Sequence, residues 1–401
     1  MKPIYIAAYH QSKFGKLFDM TVPDLVAASV EGTLGEVGAA PDIVDLATIG
    51  ATCNISLNEQ GLLSGLVAMV PGLGAKPIES VENACASGGQ AVLAVAQKLQ
   101  LGFGDVGLAL GYEKMRNDEG KMDGARVGEV LGYFSYPGER EGKTYVFPHL
   151  FAEVMRDYLA AWNVTERDLA HVSAQEYANA QLNPYAQMRG IEVGIDEAAT
   201  PEGRNRYIVE GLPLKTYDCS QITDGYAGLL LATEEGLSKL GVAKADCVEL
   251  AGYGQATDPL MKDGRDVLRP AGANRAMRDA YRMAGASPED VNVAEVHDCF
   301  TVMGAIGVEV LGHAEPGGGA AYWVDGKAAP DGGACAVNTS GGLIAKGHPV
   351  GATGVAMIGW CAWQLLGRAP TGLQVADPKL AATFNIGGPI CASVCTVLRR
   401  A

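Results

Sequence analysis

The sequence predicts an α/β protein of two similar halves, each alternating strands with helices, separated by an inserted segment of different character. Three observations carry this. Short apolar runs alternate with helix-like segments from Ile4 to about Glu113 and again from Cys247 onward, the rhythm of a mostly parallel layered sheet. Each outer third has a small-residue loop that opens a long apolar helix and leads to a glycine-bounded strand, which suggests an internal duplication. A chain of 401 residues, 48% hydrophobic and with 53 glycines, is long enough for about two to three domain-sized units around a sizeable core.

The elements follow in order. The run from Ile4 reads as a first strand and the segment from Asp24 as a helix; Asp45 to Gly50 is a strand. After a short extended run, Cys85 stands at the entrance of a helix through Leu99, and Asp105 to Gly111 is a central strand. From about Lys114 the chain becomes more charged and aromatic, with helices over Asp157–Trp162 and Leu169–Ala180, the second ending before Asn183-Pro184. This reads as an inserted lid. The α/β rhythm resumes with Val248–Gly254, a helix from Arg275 and the strand Val291–Val296. A glycine-rich loop, Ser340 to Gly354, then opens a helix reaching about Leu366, and the last strands are Leu380–Ile386 and Ser393–Leu398. The resulting division is residues 1–116 for the first half, 117–217 for the lid, 218–245 returning to the first half and 246–401 for the second half.

Acidic residues outnumber basic ones, 46 to 31, for a formal charge of -15. That balance argues against a nucleic-acid partner. The longest apolar stretches, around Leu62–Leu73 and Val355–Gly367, fall short of the roughly 18 residues that span a bilayer, so no membrane partner is expected. The first residues lack the apolar core of a secretory signal. Nine cysteines without a CxxC pair fit reduced thiols and a cytoplasmic location better than a disulfide framework.

Cys85 lies among small residues where a helix begins. Helix N-terminal N–H groups favour negative charge, so a thiolate near neutral pH is expected there. The plainer reading is a small buried hydrophobe, which is how the other cysteines outside position 299 read, including Cys391 and Cys395, taken as one face of the last strand. His348 lies in a loop whose glycines permit close backbone approach. If the halves are related by a pseudo-twofold axis, the loops of Cys85 and His348 face one another and a base meets a nucleophile. His297-Asp298-Cys299-Phe300 follows a strand directly, where α/β proteins place ligands. There His297 can donate to an oxygen and Cys299 can move a proton. A histidine and a cysteine two apart can also bind metal, but no second ligand pair supports a four-ligand site, so no metal is expected. Asn385-Ile386-Gly387-Gly388-Pro389 reads as a strand end entering a turn.

With Cys85, His297-Asp298-Cys299-Phe300, Gly347-His348-Pro349-Val350-Gly351-Ala352-Thr353-Gly354 and Asn385-Ile386-Gly387-Gly388 in this order, the chain resembles the thiolase superfamily. The likeness spans nearly the whole chain and is strongest to the branch of sterol-carrier-protein thiolases and acetyl-CoA acetyltransferase-like proteins. It implies a five-layered αβαβα fold, a lid that takes coenzyme A, and a homodimer or homotetramer. It further implies ping-pong acyl transfer with coenzyme A esters as substrates and no other cofactor. By position, Cys85 takes the acyl group and His348 activates it. Cys299 serves as acid and base, and His297 with His348 forms the enolate oxyanion site. The N–H groups of Cys85 and of a glycine near Gly388 serve the acyl carbonyl. Two departures stand out: Asn385 occupies a position where many thiolases carry a second catalytic cysteine, and Pro389 replaces a third glycine. The same resemblance admits an acyl-CoA-binding subunit working with a small zinc-ribbon/OB-fold partner, or an aldol lyase, although retro-aldol cleavage needs no thiol nucleophile. The basic lid residues Lys121, Arg126, Lys143 and Arg189 read as surface charges as readily as phosphate contacts.

Overall fold

A computed structural model of the chain describes residues 2–116, 123–333 and 335–401. Among them are ten strands: β1 (Tyr5–Gln11), β2 (Leu46–Gly50), β3 (Ile78–Val81), β4 (Val106–Glu113), β5 (Gly225–Ala232), β6 (Val248–Thr257), β7 (Val291–Val296), β8 (Ala336–Val337), β9 (Leu380–Gly387) and β10 (Ala392–Arg400). They form one sheet in the order β3-β2-β4-β5-β1-β6-β10-β9-β7-β8. Numbered within its own half, each set of five reads third, second, fourth, fifth, first. The two halves therefore repeat one topology, joined where β1 meets β6 through Tyr5↔Glu249 and Ile6↔Val248.

The sheet is mixed rather than mostly parallel. Parallel pairing is confined to β3-β2-β4 and β8-β7-β9, where helical crossovers return the chain in the same direction. β5 and β10 run against their neighbours. A long insertion precedes β5 and a short turn precedes β10, so neither strand is delivered by a simple βαβ crossover.

Strand composition dictates the layering. Along β4, the large Val106, Leu108, Leu110 and Tyr112 alternate with the small Gly107, Ala109 and Gly111. Period-two alternation sends the two sets to opposite faces. The large set meets the Val22–Gly35 helix through Leu25, Val26 and Val30. The small set leaves room for the Ser87–Gln100 helix, and a Cβ on Gly107 would lie 2.5 Å from Val95 Cγ1. That helix and its counterpart, Val350–Leu366, share a core with strands of both halves, including Leu229, Leu250, Ala381 and Leu398. On the far side, the Ala271–Ala284 and Thr301–Leu311 helices cover the second half through Met277, Ala280, Val302 and Ile306. The result is five layers: helix, one half of the sheet, paired helices, the other half of the sheet, helix. Between β4 and β5 lie the helices Gly124–Gly132, Val146–Trp162 and Glu166–Leu182. Of these, Glu166–Leu182 begins with a Thr165/Asp168 capping box and packs Val172 and Tyr177 into the core of the second half.

Candidate active site

The two central helices bring their N-terminal loops together, and a cavity of about 500 Å³ opens there. Cys85, His297, Cys299, His348 and Gly388, predicted from separate parts of the sequence, all line it. Asn385 stands behind them, on β9 rather than in the turn, and is buried.

Cys85 precedes the helix, which begins at Ser87. Ala84 adopts a left-handed φ of 48°, held by its neighbours against its steric cost. The Ser87 hydroxyl donates to the Ala84 carbonyl at 2.6 Å, the Thr52 hydroxyl donates to the same oxygen at 2.9 Å, and the Asn83 N–H donates to Ser87 Oγ at 2.8 Å. Glu113, at the end of β4, accepts N–H bonds from Thr52, Cys53 and Gly351 at 3.1, 2.9 and 3.1 Å. It thereby ties the Cys85 surroundings to the helix that follows His348. Burial lifts its carboxyl to about 7 despite these donors.

The hydrogen bonds assign the two histidine tautomers. Asn385 Nδ2 donates to the Cys85 carbonyl at 3.1 Å, and a carbonyl only accepts, so this atom is the amide nitrogen. The same nitrogen lies 2.9 Å from His297 Nδ1. Nδ1 is therefore the acceptor and the His297 proton resides on Nε2, which is buried without a partner among the described residues. His348 shows the opposite arrangement. Its Nδ1 lies 2.7 Å from Thr353 Oγ1, whose single proton goes to the Pro349 carbonyl at 3.1 Å. Nδ1 is then the donor, and Nε2 keeps its lone pair. One ring nitrogen of each histidine and the Cys85 sulfur lie within 4.8 Å of one another, with the ring planes at 88° and centroids 4.9 Å apart. The site thus brings one histidine with its proton on Nε2 and one with a basic Nε2 beside one sulfur. A cysteine and two histidines are also metal-ligand types, here three without a fourth ligand of that kind among the described residues.

Protonation differs from the sequence expectation at Cys85. Burial, followed by the field of Glu113, pushes its thiol up to about 12, although the main-chain N–H groups of Cys85 and Gly388 pull the other way. The Cys85 side chain rests as a thiol, because desolvation outweighs the helix-end effect. Burial also holds His348 neutral, down to about 3, and lowers His297 well below the ordinary histidine range, helped by His348. The Cys299 thiol is raised well above its usual value, by burial first and then by Cys85 and Asp298.

Asp298, between His297 and Cys299, points away from the cavity. Its carboxylate accepts the Leu343 and Ile344 N–H groups at 2.9 and 3.1 Å, fastening this motif to the single π turn Gly342–Lys346 that leads to His348. Glu176 meets it there and accepts from Asn338 Nδ2 at 2.8 Å. A Cβ on Gly342 would collide with both carboxyl groups.

Several of these residues carried no functional signal in the sequence. Thr353 lay inside the quoted glycine motif without a role, and Glu113 and Glu176 read as ordinary helix or strand residues. Cys391 belongs to the turn before β10 and donates to the Asp258 carbonyl at 2.9 Å, so it does not share a strand face with Cys395. Of the basic lid residues, Arg126 pairs with Glu129 at 2.8 Å and Lys143 reaches Glu153 at 3.9 Å. Lys121 lies outside the described residues.

Comparison with known proteins decides the family. Residues 4–235 match the thiolase N-terminal domain and residues 254–400 the thiolase C-terminal domain-like family. The chain belongs to the thiolase family. This thiolase is 32% identical over 388 residues to the acetyl-CoA acetyltransferase of Methanothermobacter thermautotrophicus, with 97% of each chain covered. It is 29% identical over 393 residues to the benzoylsuccinyl-CoA thiolase subunit BbsB of Thauera aromatica, covering 96% of this chain and 95% of that one. Among solved structures, an Ltp2-ChsH2(DUF35) aldolase superposes with a TM-score of 0.79 at 20% identity, over 99% of this chain and 98% of the other. Human mitochondrial 3-ketoacyl-CoA thiolase gives 0.75 at 17% identity, over 100% and 99%. These structural likenesses establish the fold, and the sequence relatives make this thiolase an acyltransferase. No helix among the described residues is long and apolar enough to cross a membrane.

Proposed function

We propose that this thiolase carries an acyl group on Cys85 and catalyses thiolysis or Claisen condensation of a 3-oxoacyl-CoA. In the thiolysis direction, Cys85 sulfur attacks the 3-oxo carbon while its proton passes to His348 Nε2. The carbon–carbon bond between C2 and C3 then breaks, and the acetyl-CoA enolate leaves. Its oxygen is stabilised by the His297 Nε2–H and by His348, now protonated, and Cys299 returns a proton to its α-carbon. Main-chain N–H groups of Cys85 and Gly388 face the acyl carbonyl. The thiol of coenzyme A then attacks the acyl-cysteine, transfers the acyl group and restores both thiols. Coenzyme A itself supplies the second thiol, so the cycle uses no further cofactor, in keeping with a reducing cytoplasm.

The observation that carries this reading is the meeting of Cys85 with two histidines of opposite tautomer within 4.8 Å. Its test is the intact mass of the protein after acetyl-CoA is added, followed by peptide mapping. A single acetyl group on Cys85, discharged by free coenzyme A and absent from Cys85→Ala, is the expected result. An adduct elsewhere, or thiolysis that survives Cys85→Ala, would remove Cys85 from the role.

Two relatives favour a second reading, in which the chain acts with a separate small partner of the zinc-ribbon/OB-fold kind or as an aldol lyase. One relative is named as a thiolase subunit and one structural neighbour as a two-name aldolase. A folded chain that binds acyl-CoA but takes up no acetyl group alone would favour it. We further take the working form to be a homodimer. β3 forms a sheet edge, and Ile55, Leu62 and Met69, on the segment between β2 and β3, are 69%, 79% and 73% exposed, an apolar surface suited to a second copy.

A further inference from the structure

The cavity beside Cys85 has mostly apolar walls. Met115, Val127 and Val350 form one cluster with Leu57, Leu131, Ile222 and Cys85 itself. Set into this wall is a permanent charge. Arg116 lines the cavity and is only 8% exposed. Among the described residues, those lining the cavity include no aspartate or glutamate, and Arg116 is their only arginine or lysine.

Its hydrogen bonding is incomplete. Arg116 Nη2 donates to the Ile222 carbonyl at 2.9 Å, while Nε is buried without a partner among the described residues. No carboxylate among the described residues forms an ion pair with it. Asp224 feels its charge, but the Asp224 oxygens accept main-chain N–H bonds from Leu17, Met115 and Arg116 itself at 3.3, 2.8 and 3.1 Å. A guanidinium this enclosed, with no carboxylate paired to it among the described residues, is unfavourable unless an anion offsets its charge. A planar fork is suited to bidentate carboxylate recognition.

We infer that Arg116 is a specificity-determining residue and that the acyl group this thiolase prefers carries a carboxylate, which the guanidinium receives inside the cavity. The inference rests on the proposed acyl-CoA reading and adds the substrate class to it. Coenzyme A also carries anionic phosphates, but the pantetheine arm separates them from the thioester, whereas Arg116 lines the same cavity as Cys85 and follows Met115 of its apolar cluster. An uncharged acyl chain of the same length leaves the guanidinium desolvated and unpaired, so discrimination arises from that penalty as well as from the new hydrogen bonds.

The test is titration calorimetry on the Cys85→Ala protein. The ligands are succinyl-, glutaryl- and adipyl-CoA, their neutral counterparts butyryl-, pentanoyl- and hexanoyl-CoA, and free coenzyme A. A charge-assisted bond predicts that at one chain length the carboxylated ligand binds at least about tenfold tighter than its neutral match. Adding Arg116→Gln should abolish that ratio and leave free coenzyme A with its original affinity. A ratio near one at every length in the arginine-bearing protein overturns the inference whether or not the glutamine variant folds. A preference that survives Arg116→Gln, or loss of affinity for free coenzyme A in that variant, also overturns it; the latter assigns the guanidinium to the phosphates. Because binding is read without turnover, failure of Cys85 to become acylated in the mass experiment does not affect this outcome.

Discussion

Cys85 rests as a thiol beside a neutral His348, so in the proposed mechanism proton transfer accompanies attack rather than preceding it. The basic nitrogen belongs to His348, which burial holds neutral down to about 3. The acylation rate with acetyl-CoA should therefore stay level from pH 6 to pH 5, below the range where the Glu113 carboxyl, lifted to about 7, titrates. A rapid-quench profile that falls several-fold across that unit, as a base with the ordinary histidine value of about 6.5 requires, would contradict this. The sign for stability follows from the same depression. As pH falls from about 6.5 toward 3, the unfolded chain takes up a proton that buried His348 refuses, so stability declines across that window. Asn385 provides a second test. Its amide makes His297 Nδ1 an acceptor, whereas a carboxylate there would demand a proton on Nδ1 and remove it from Nε2. Asn385→Asp should reduce kcat by about 10²–10³, the loss expected when one oxyanion donor is removed, with KM changed far less. Near-normal kcat in a folded variant would refute the tautomer assignment. Cys85, His297, Cys299 and His348 were legible in the sequence because chemistry-bearing residues stood in recognisable local motifs. The tautomers were not, since each depends on a partner named by no local signal: Thr353 five residues away and Asn385 on a different strand.

At the scale of elements, the site depends on how closely two helices approach. Gly88 and Gly89 of the first central helix meet Gly351 and Gly354 of the second, and a Cβ on Gly88 would lie 2.6 Å from the Gly351 carbonyl. A Cβ on Gly354 would strike both the Gly89 nitrogen and Asn385 Oδ1. Gly354→Ala should lower unfolding free energy by about 1–3 kcal/mol, the usual range for overpacking, and should weaken activity by displacing Asn385. Denaturant midpoints unchanged from the parent would show that the helices have slack there. The helices themselves were readable from apolar runs behind small-residue loops. Their contact was not, because a glycine in sequence does not say which backbone it admits. The mixed pairing of the sheet escaped notice for a related reason: the runs before β5 and β10 reveal burial but not strand direction.

At the scale of the molecule, duplication explains why Cys85 and His348, more than 250 residues apart in sequence, become neighbours. Equivalent helices of the two halves lie side by side, so their opening loops share one cavity. Light scattering should give twice the mass of a single chain, and Leu62→Asp with Met69→Asp should return it to the monomer; a parent protein already monomeric would rule out the homodimer. By itself, the sequence determined the α/β rhythm, the repeated halves, the inserted segment and the residue types available for acyl chemistry, because periodicity and motif spacing are local properties of the chain. Tertiary structure alone decided that Cys85 is protonated, that the two histidines take opposite tautomers, and that Arg116 is enclosed with an unused N–H. Protonation and desolvation depend on atoms delivered by distant segments, as when Asn385 reaches the Cys85 carbonyl across 300 positions, and no local pattern records which segments those are.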